Sequence, residues 1–180
     1  MSIVSLAIAS PLKHSRLTTF FRWILFIPLA IVNYLYAIAA YIAVIVAWFA
    51  IVFTARYPAG LYDFVAGYLR FSSRVVAYVM LTVDVYPPFN GGEAPDYPVQ
   101  VHIPERKERY SRLKTLFRIV YIIPAYVIVI VLGILLYLAV IVSWFAILLT
   151  ARDPFTKYKH YALGWVLKYA ALSLLVIEDY

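Results

Sequence analysis

One stretch decides the fold of this chain: residues 22–56, which read RWILFIPLAIVNYLYAIAAYIAVIVAWFAIVFTAR. Between its two arginines lie 33 residues without a charged side chain. A membrane-spanning helix needs about 20 consecutive apolar residues, so the stretch is long enough to enter a bilayer. Of the 180 residues, 65% are hydrophobic and 14% charged, against about a half and a quarter in soluble domains. These figures exclude an ordinary soluble enzyme and predict an all-α integral membrane protein.

The same stretch occurs twice. A second uncharged run of 33 residues separates Arg118 from Arg152, and a shift of 96 residues aligns the two runs. From Ser15 to Pro58, 22 of 44 positions are identical without a gap. Such an internal repeat must be recognised before a fold is assigned. The alignment predicts three parts, namely a first membrane repeat, a Pro- and Gly-rich connector and a second membrane repeat, at 1–86, 87–98 and 99–180.

Two arrangements fit one uncharged run. A straight helix of 33 residues would be about 50 Å long, against a hydrocarbon core of about 30 Å. Pro28 and its counterpart Pro124 predict a kinked or broken apolar helix, because proline disrupts a helix interior. The alternative is a helical hairpin, with helices at about 17–35 and 37–54 in the first copy. In both arrangements a second, amphipathic helix follows the apolar run.

The amphipathic helix of the first copy is predicted at 61–83. Asp63, Arg70 and Arg74 recur there at helical spacing on one narrow face. Two arginines near the centre of a span would each cost about 2.5–3.5 kcal/mol. A helix that lies in the membrane interface avoids this cost, and we favour it over a second span.

The remaining segments of the repeat are shorter. The counterpart of the amphipathic helix, residues 158–177, has only Lys168 as a charge near its middle, so a true span is more credible there. Each copy is preceded by a segment that alternates in polarity, residues 2–8 and 98–103. Alternation with a period of two predicts short β-strands. These strands could pair with each other, add to an edge on a partner, or be extended linkers.

Charged side chains at the ends of the runs are the candidate binding residues. They could bind lipid phosphate or the carboxylates of a partner, and they are Arg56, Asp63, Arg70, Arg74, Arg152 and Lys168. The simpler explanation for the long basic chains is that they reach to headgroups without forming a site. Asp63 could equally cap the start of its helix, and Thr-Ala-Arg at 54–56 and 150–152 reads as a helix stop.

No motif for chemistry stands out. The chain has no cysteine, its three histidines at 14, 102 and 160 are far apart, and it has only six glycines. Thiolate zinc sites, HExxH sites and phosphate-binding glycine loops are therefore excluded by composition or spacing. We predict no catalytic residues, no metal site and no cofactor. The net charge of +7 indicates contact with anionic lipid headgroups, and not with nucleic acid, because the basic residues flank apolar runs.

Residues 48–89 carry a resemblance to a known family. The shared elements are WFA (48–50), Thr54, RYP (56–58), GLYDF (60–64), RFS and Arg74 (70–74), and DVYPPF (84–89). Together they resemble the hallmark of a bacterial membrane family known as domain of unknown function 4389, and DYPVQVHIPE (96–105) is similar to its lead-in. The resemblance covers both copies and nearly the whole chain. It implies a small integral protein of the bacterial inner membrane and supplies no activity.

The second copy departs from that hallmark. With the shift of 96 residues, Asp63 corresponds to Lys159, Arg70 to Val166 and Arg74 to Ala170. Any site built from these polar residues would therefore exist once in the chain.

Four classes of function remain for such a protein. The first is a non-enzymatic integral membrane scaffold or accessory subunit, in contact with other membrane subunits or with copies of itself. The second is a membrane-shaping protein, and the third an oligomeric channel or carrier whose path Asp63, Arg70 and Arg74 would line. An enzyme acting on lipids comes fourth. The distribution of basic residues predicts that the termini and the connector are cytoplasmic.

Overall fold

Helices make up most of the molecule. The computed structural model describes residues 4–177, apart from the side chains of residues 119, 121 and 125. In chain order the elements are β1 (Ser5–Ile8), α1 (Arg16–Thr54), α2 (Ala59–Val79), β2 (Val99–His102), α3 (Arg112–Leu116), α4 (Arg118–Thr150) and α5 (Thr156–Ser173). The order repeats, because each half has a strand, a long apolar helix and a shorter helix.

The apolar run of the first copy forms one continuous helix. α1 begins after Ser15, whose hydroxyl accepts a hydrogen bond from the N–H of Thr18 at 3.2 Å. It ends where Ala55 takes a left-handed φ of 57°, so the predicted helix stop is confirmed. The helix continues through Pro28. The hairpin alternative is therefore wrong, and the chain does not break at this proline.

The second copy divides its apolar run near the start. α3 ends at Leu116 and α4 begins at Arg118. The break lies at Phe117, seven residues before Pro124, and α4 continues through that proline. In both copies the proline therefore lies inside a helix and ends neither.

β1 and β2 pair with each other. They form a two-stranded antiparallel sheet in which Ser5 lies opposite His102 and Ile8 opposite Val99. The first of the three possibilities for the alternating segments is thus confirmed. β1 covers Ser5–Ile8 and β2 covers Val99–His102 of the predicted segments, and residues 2 and 3 of the first lie outside the described part of the chain. Of the described helices, only α2 and α5 contact the sheet. α2 and α5 also contact each other, and each packs on the long helix of its own copy.

Reciprocal hydrogen bonds join the two copies. The indole N–H of Trp48 donates to the carbonyl oxygen of Thr115 at 3.1 Å, and that of Trp144 donates to Thr19 at 3.1 Å. Donors and acceptors both differ by 96 residues, so the two bonds are related by the repeat. α1 therefore begins where α4 ends and ends near α3, where the second apolar run begins. The two halves are related by an approximate two-fold axis, and their long helices run antiparallel.

The core lies on one side of each long helix. The buried residues of α1 from its middle onward are Leu29, Ala40, Ala43, Ala47 and Ile51. Their counterparts on α4 include Leu136, Ala139, Ser143 and Ile147, which are also buried. The opposite faces of both helices carry exposed large apolar side chains, such as Leu35 and Leu138. Each long helix is therefore half covered by protein.

Two of the described helices are long and apolar enough to cross a membrane, namely Arg16–Thr54 and Ile122–Thr150. α5 is not one of them, so the expectation of a true span at 158–177 receives no support. α2 is not one either, and eleven of its residues are buried against the rest of the chain. It lies against α1, the sheet and α5.

Candidate binding groove on α2

Arg74 is used inside the molecule. It lies on α2 and is 1% exposed. Its Nη2 donates to the carbonyl oxygen of Gly92 at 2.8 Å and its Nη1 to that of Asn90 at 3.5 Å. Burial lowers the pKa of this guanidinium, and the nearby charge of Arg70 lowers it further. Arg74 therefore holds the connector on α2, and in this conformation its guanidinium does not reach lipid headgroups.

Two glycines let the connector approach α2 closely. A Cβ atom placed on Gly91 would lie 2.7 Å from the Cα atom of Gly67. Real Cβ atoms essentially never come within 3.0 Å of another heavy atom. Backbone packs directly on backbone here, and this contact lies on the same stretch of α2 as Arg74.

Beside the connector lies a polar groove. It has a volume of about 530 Å³ and separates α2 from the segment that contains β2. Its lining residues with carboxylate, guanidinium or imidazole side chains are Asp63, Arg70, Glu93, His102, Glu105 and Arg106. We call this feature the α2 groove. It holds two cations and three carboxylates, so it has donors and acceptors for a charged partner.

Arg70 is the unsatisfied group of the α2 groove. It is half-buried, its Nε atom is enclosed, and that atom has no hydrogen-bond partner among the described residues. An enclosed guanidinium N–H without a partner is unfavourable by about 1–3 kcal/mol. This enclosed Nε is out of reach of a ligand, but the half-buried side chain lines the groove, and a guanidinium there can donate to a carboxylate or phosphate oxygen through its Nη groups. Arg70 is thus the cation on α2 that lines the groove.

The far wall of the groove is fixed to the start of α2. The hydroxyl of Tyr62 donates to the carbonyl oxygen of Pro104 at 2.6 Å. Nη1 of Arg106 donates to the carbonyl oxygen of Tyr57 at 3.0 Å. Burial raises the pKa of the Tyr62 phenol well above its usual range, so this hydroxyl remains a donor at neutral pH. These bonds keep the groove open at a set width.

The family model for "Domain of unknown function (DUF4389)" matches residues 16–90 and 112–172. These two segments cover well over half of the chain and coincide with its two copies. The chain belongs to the DUF4389 family. A comparison with curated proteins and one with solved structures give no match. The family assignment therefore comes with a domain description that names no activity.

The structure corrects the alignment of the two DUF4389 copies beyond the long helices. Nη1 of Arg22 and Nη2 of Arg118 donate to Val83 and Ile177, both at 2.9 Å. The donors differ by 96 residues but the acceptors by 94. The left-handed residues Leu81 and Leu175 also differ by 94. A deletion of two residues therefore precedes α5.

With this register, the counterparts of the α2 charges change. Asp63 corresponds to Lys157, Arg70 to Gly164 and Arg74 to Lys168, so the expected counterparts Lys159, Val166 and Ala170 are wrong. The conclusion drawn from them still holds for Arg70, because glycine offers no side chain. The second DUF4389 copy lacks the arginine around which the α2 groove is built.

The other predicted site residues lie apart from the groove. Arg56 and Arg152 are exposed, each two residues beyond the end of a long helix. Lys168 is exposed on α5, with its Nζ atom 5.7 Å from the ring centroid of Trp165, within range of a cation–π contact. Asp63 is exposed at the rim of the groove and does not cap α2, because the cap position is Pro58. Of the six residues, the groove brings together Asp63 and Arg70.

The sequence analysis missed one buried ionic cluster in each copy. In the first, Asp84 accepts from Nη2 of Arg22 at 2.7 Å and from the N–H of Ser15 at 2.7 Å, and it lies 3.1 Å from Nδ1 of His14. Burial alone would raise the pKa of Asp84, but His14, Ser15 and Arg22 together hold it below its usual range. Asp84 opens the DVYPPF element, and a charge that borders an apolar run needs a partner of opposite sign.

The second cluster has different residues. Asp153 accepts from Nζ of Lys159 at 3.0 Å and from the hydroxyl of Ser143 at 2.6 Å. Lys159 is fully buried. Within residues 4–177, no group of three or more His, Asp or Glu side chains is placed to hold a metal ion. In each copy the aspartate joins a loop to a helix through an ion pair and further hydrogen bonds.

Proposed function

We propose that this DUF4389 protein is a non-enzymatic membrane scaffold or accessory subunit of a larger assembly in the bacterial cytoplasmic membrane. The exposed apolar faces of α1 and α4 carry this proposal. They hold most of the exposed large hydrophobic side chains of the described chain. A contiguous apolar surface larger than a few hundred Å² marks contact with a membrane or a protein partner.

The exposed side chains would gain much by leaving water. Burial of a large aliphatic or aromatic side chain is worth about 1.5–3 kcal/mol. Ile27, Leu35, Ile42, Phe49 and Phe53 are all exposed on α1, and they follow one side of the helix at intervals of four to eight residues. If this face contacts acyl chains, these apolar side chains leave water, and the helix satisfies its own backbone hydrogen bonds as a bilayer requires.

The α2 groove supplies the contact for a partner subunit. The half-buried Arg70 lines this groove as a donor for an acidic group, and Asp63 and Glu105 line it as acceptors for a basic group. A partner segment that presents a carboxylate to Arg70 fits this arrangement. The termini and the connector, which lies next to the groove, would face the cytoplasm.

Purification in gentle detergent at native abundance tests the proposal. We expect the protein to stay in the membrane after an alkaline carbonate wash and to elute with at least one other subunit. Arg70→Gln should lower the recovered partner about tenfold, which corresponds to ~1.4 kcal/mol. Arg56→Gln, on an exposed residue outside the groove, is the matched control. A lone monomer for the unaltered protein would contradict the scaffold proposal.

Membrane shaping is the second candidate. The exposed apolar faces of both long helices lie on the side away from the sheet, so they would enter a bilayer from one side. Insertion into one leaflet expands that leaflet and favours curvature. Tubulation or shrinkage of vesicles on addition of the purified protein would favour this function over a scaffold. The channel or carrier receives less support, because Arg74 is engaged by the connector.

A further inference from the structure

The long helices do not fit an upright orientation. α1 has 39 residues, which make a helix about 58 Å long. Tilts of membrane helices reach about 40°, and at that tilt α1 would still rise about 45 Å. The hydrocarbon core is about 30 Å thick. An upright α1 would therefore exceed the hydrocarbon core by about 15 Å even at that tilt, and its ends would lie in the headgroup layers.

The connector follows α2 over its whole length. The hydroxyl of Tyr97 donates to Val85, just beyond the end of α2, at 3.0 Å. Between the ends of α2, Gly91 packs against Gly67 and Arg74 holds Gly92, while Tyr62 at the start of α2 holds Pro104. α2 in turn lies along α1, since the hydroxyl of Tyr36 donates to the carbonyl oxygen of Phe64 at 3.2 Å. The connector and β2 therefore run alongside α1 as well.

This path carries exposed polar side chains. They are Glu93, Asp96, Gln100, His102 and Glu105. If α1 crossed the bilayer, these residues and the irregular backbone between them would lie at the depth of the hydrocarbon core. Irregular backbone facing lipid does not occur at that depth, and carboxylates there are strongly unfavourable.

Basic residues surround both ends of the helix pair. Lys13, Arg16 and Arg152 are exposed where α1 begins and α4 ends, and Arg56, Arg109 and Arg112 are exposed at the opposite end. A spanning orientation would place half of these charges on each side of the membrane, against the bias of membrane proteins toward a basic cytoplasmic side. An orientation in the membrane plane places all of them at one headgroup layer.

We infer that α1 and α4 lie in the plane of the membrane, embedded in one leaflet by their exposed apolar faces. The sheet, the connector and the α2 groove face the water above that leaflet. Anionic headgroups surround the embedded pair through the basic residues at both ends. This inference rests on the proposed membrane function and adds that neither long helix crosses the bilayer.

Site-directed labelling tests the orientation. The chain has no cysteine, so a single introduced cysteine is labelled without background from native thiols. We use two variants at the ends of α1, Lys13→Cys and Arg56→Cys, and one on the connector, Asp96→Cys. Spheroplasts and inverted vesicles are treated with a membrane-impermeant maleimide. We expect all three sites to react in inverted vesicles and none in spheroplasts. Reaction of Lys13→Cys and Arg56→Cys from opposite sides would overturn the inference.

Depth measurements give a second readout. Ile31→Cys and Ile42→Cys carry bimane in vesicles of phosphatidylethanolamine and phosphatidylglycerol that contain brominated lipids. Both positions are exposed on α1, and because they are eleven residues apart, about three turns, they lie on the same side of the helix. We expect equal quenching depths, whereas a spanning helix requires depths that differ by about 10 Å or more. Recovery of the protein in the carbonate-soluble fraction would refute the membrane function itself, an outcome distinct from two-sided labelling.

Discussion

Single residues show that this chain uses several of its buried charges to bind its own backbone. Arg22 donates to carbonyl oxygens of the loop after α2, Arg74 to those of the connector, and Arg118 to those of the chain after α5. A guanidinium has five donors and fits several carbonyl groups at once. These arginines satisfy loop carbonyls that the low-dielectric interior would otherwise leave without donors.

At the same scale, Gly91→Ala should destabilise the protein. The added Cβ atom would meet the Cα and carbonyl oxygen of Gly67 at 2.7 Å, so the connector must shift away from α2. We expect a loss of about 1–3 kcal/mol in the free energy of unfolding, measured by thermal unfolding in detergent. Gly92→Ala is the matched control, because the nearest atom to its added Cβ is 3.9 Å away. Equal midpoints for the two variants would contradict the backbone contact.

Because of Asp84, the free energy of unfolding should depend on pH in the acid range. Its pKa is lower in the folded chain than the value of about 3.9 in an unfolded one. Such a group stabilises the fold above the unfolded pKa, and the stabilisation disappears as the pH falls through the folded pKa. Asp84→Asn should lower stability at pH 7 by about 1.5–3 kcal/mol, the range for hydrogen bonds to charged groups.

Thermal midpoints recorded between neutral pH and the acid range check this expectation. The unaltered protein should lose stability as the pH falls below the ordinary range of aspartate, and Asp84→Asn should lose less over the same interval. Asp96→Asn, on the exposed connector, should follow the unaltered protein. Parallel curves for Asp84→Asn and the unaltered protein would show that the contacts with His14, Ser15 and Arg22 do not hold this carboxylate ionised.

At the scale of elements, the local sequence pattern predicts some features of the fold and does not predict others. The repeat, the apolar helices, the strands and the stops at Thr54 and Thr150 follow from composition and periodicity. The continuity of α1 through Pro28 does not, because a helical proline is unfavourable by about 3 kcal/mol while packing of the buried face from Leu29 to Ile51 holds the helix together. Tertiary packing therefore outweighs a local signal.

Only part of the α2 groove could be predicted from the sequence. Asp63 and Arg70 share a helical face by their spacing, but Glu93, His102 and Arg106 reach the groove through the path of the connector. That path depends on the pairing of β2 with β1 and on the contact of Gly91 with Gly67, neither of which has a local signature. The two-residue deletion before α5 was missed for a similar reason, since the two copies have little identity after Pro154.

The two tryptophans at the joints between the copies should contribute equally to stability. Trp48→Phe and Trp144→Phe each remove one hydrogen bond to a helix-start carbonyl and retain an aromatic ring. We expect each to lose about 0.5–1.5 kcal/mol, and the double variant to lose the sum, because distant sites are additive. Thermal unfolding measures all three. Trp23→Phe, on an exposed side chain, is the control; a loss confined to one joint would contradict the two-fold relation.

For the whole molecule, the connector should tolerate a cut. Separate chains for residues 1–93 and 94–180 retain the strand pair, both tryptophan bonds and the contacts of Arg74. Exposed loop tips accept breaks when the contacts on either side persist. We expect the co-expressed halves to copurify in equal amounts from membranes, as measured by affinity capture of one half.

A second pair of chains controls for nonspecific association of apolar helices in detergent. Deletion of residues 1–8 from the first half removes β1 and leaves α1 intact. Recovery of the second half should then fall several-fold. Unchanged recovery would mean that the halves adhere through their apolar surfaces and not through the sheet.

The approximate two-fold axis has a consequence for assembly. Two identical halves would present two grooves and recruit partners in pairs, since every substitution in a symmetric dimer occurs twice. Because both halves are joined in one chain, one of them could lose its arginine at the position of Gly164 while the other kept Arg70. If the α2 groove binds a partner as proposed, that partner is bound on one half of an otherwise two-fold molecule, so the assembly would contain one partner per chain.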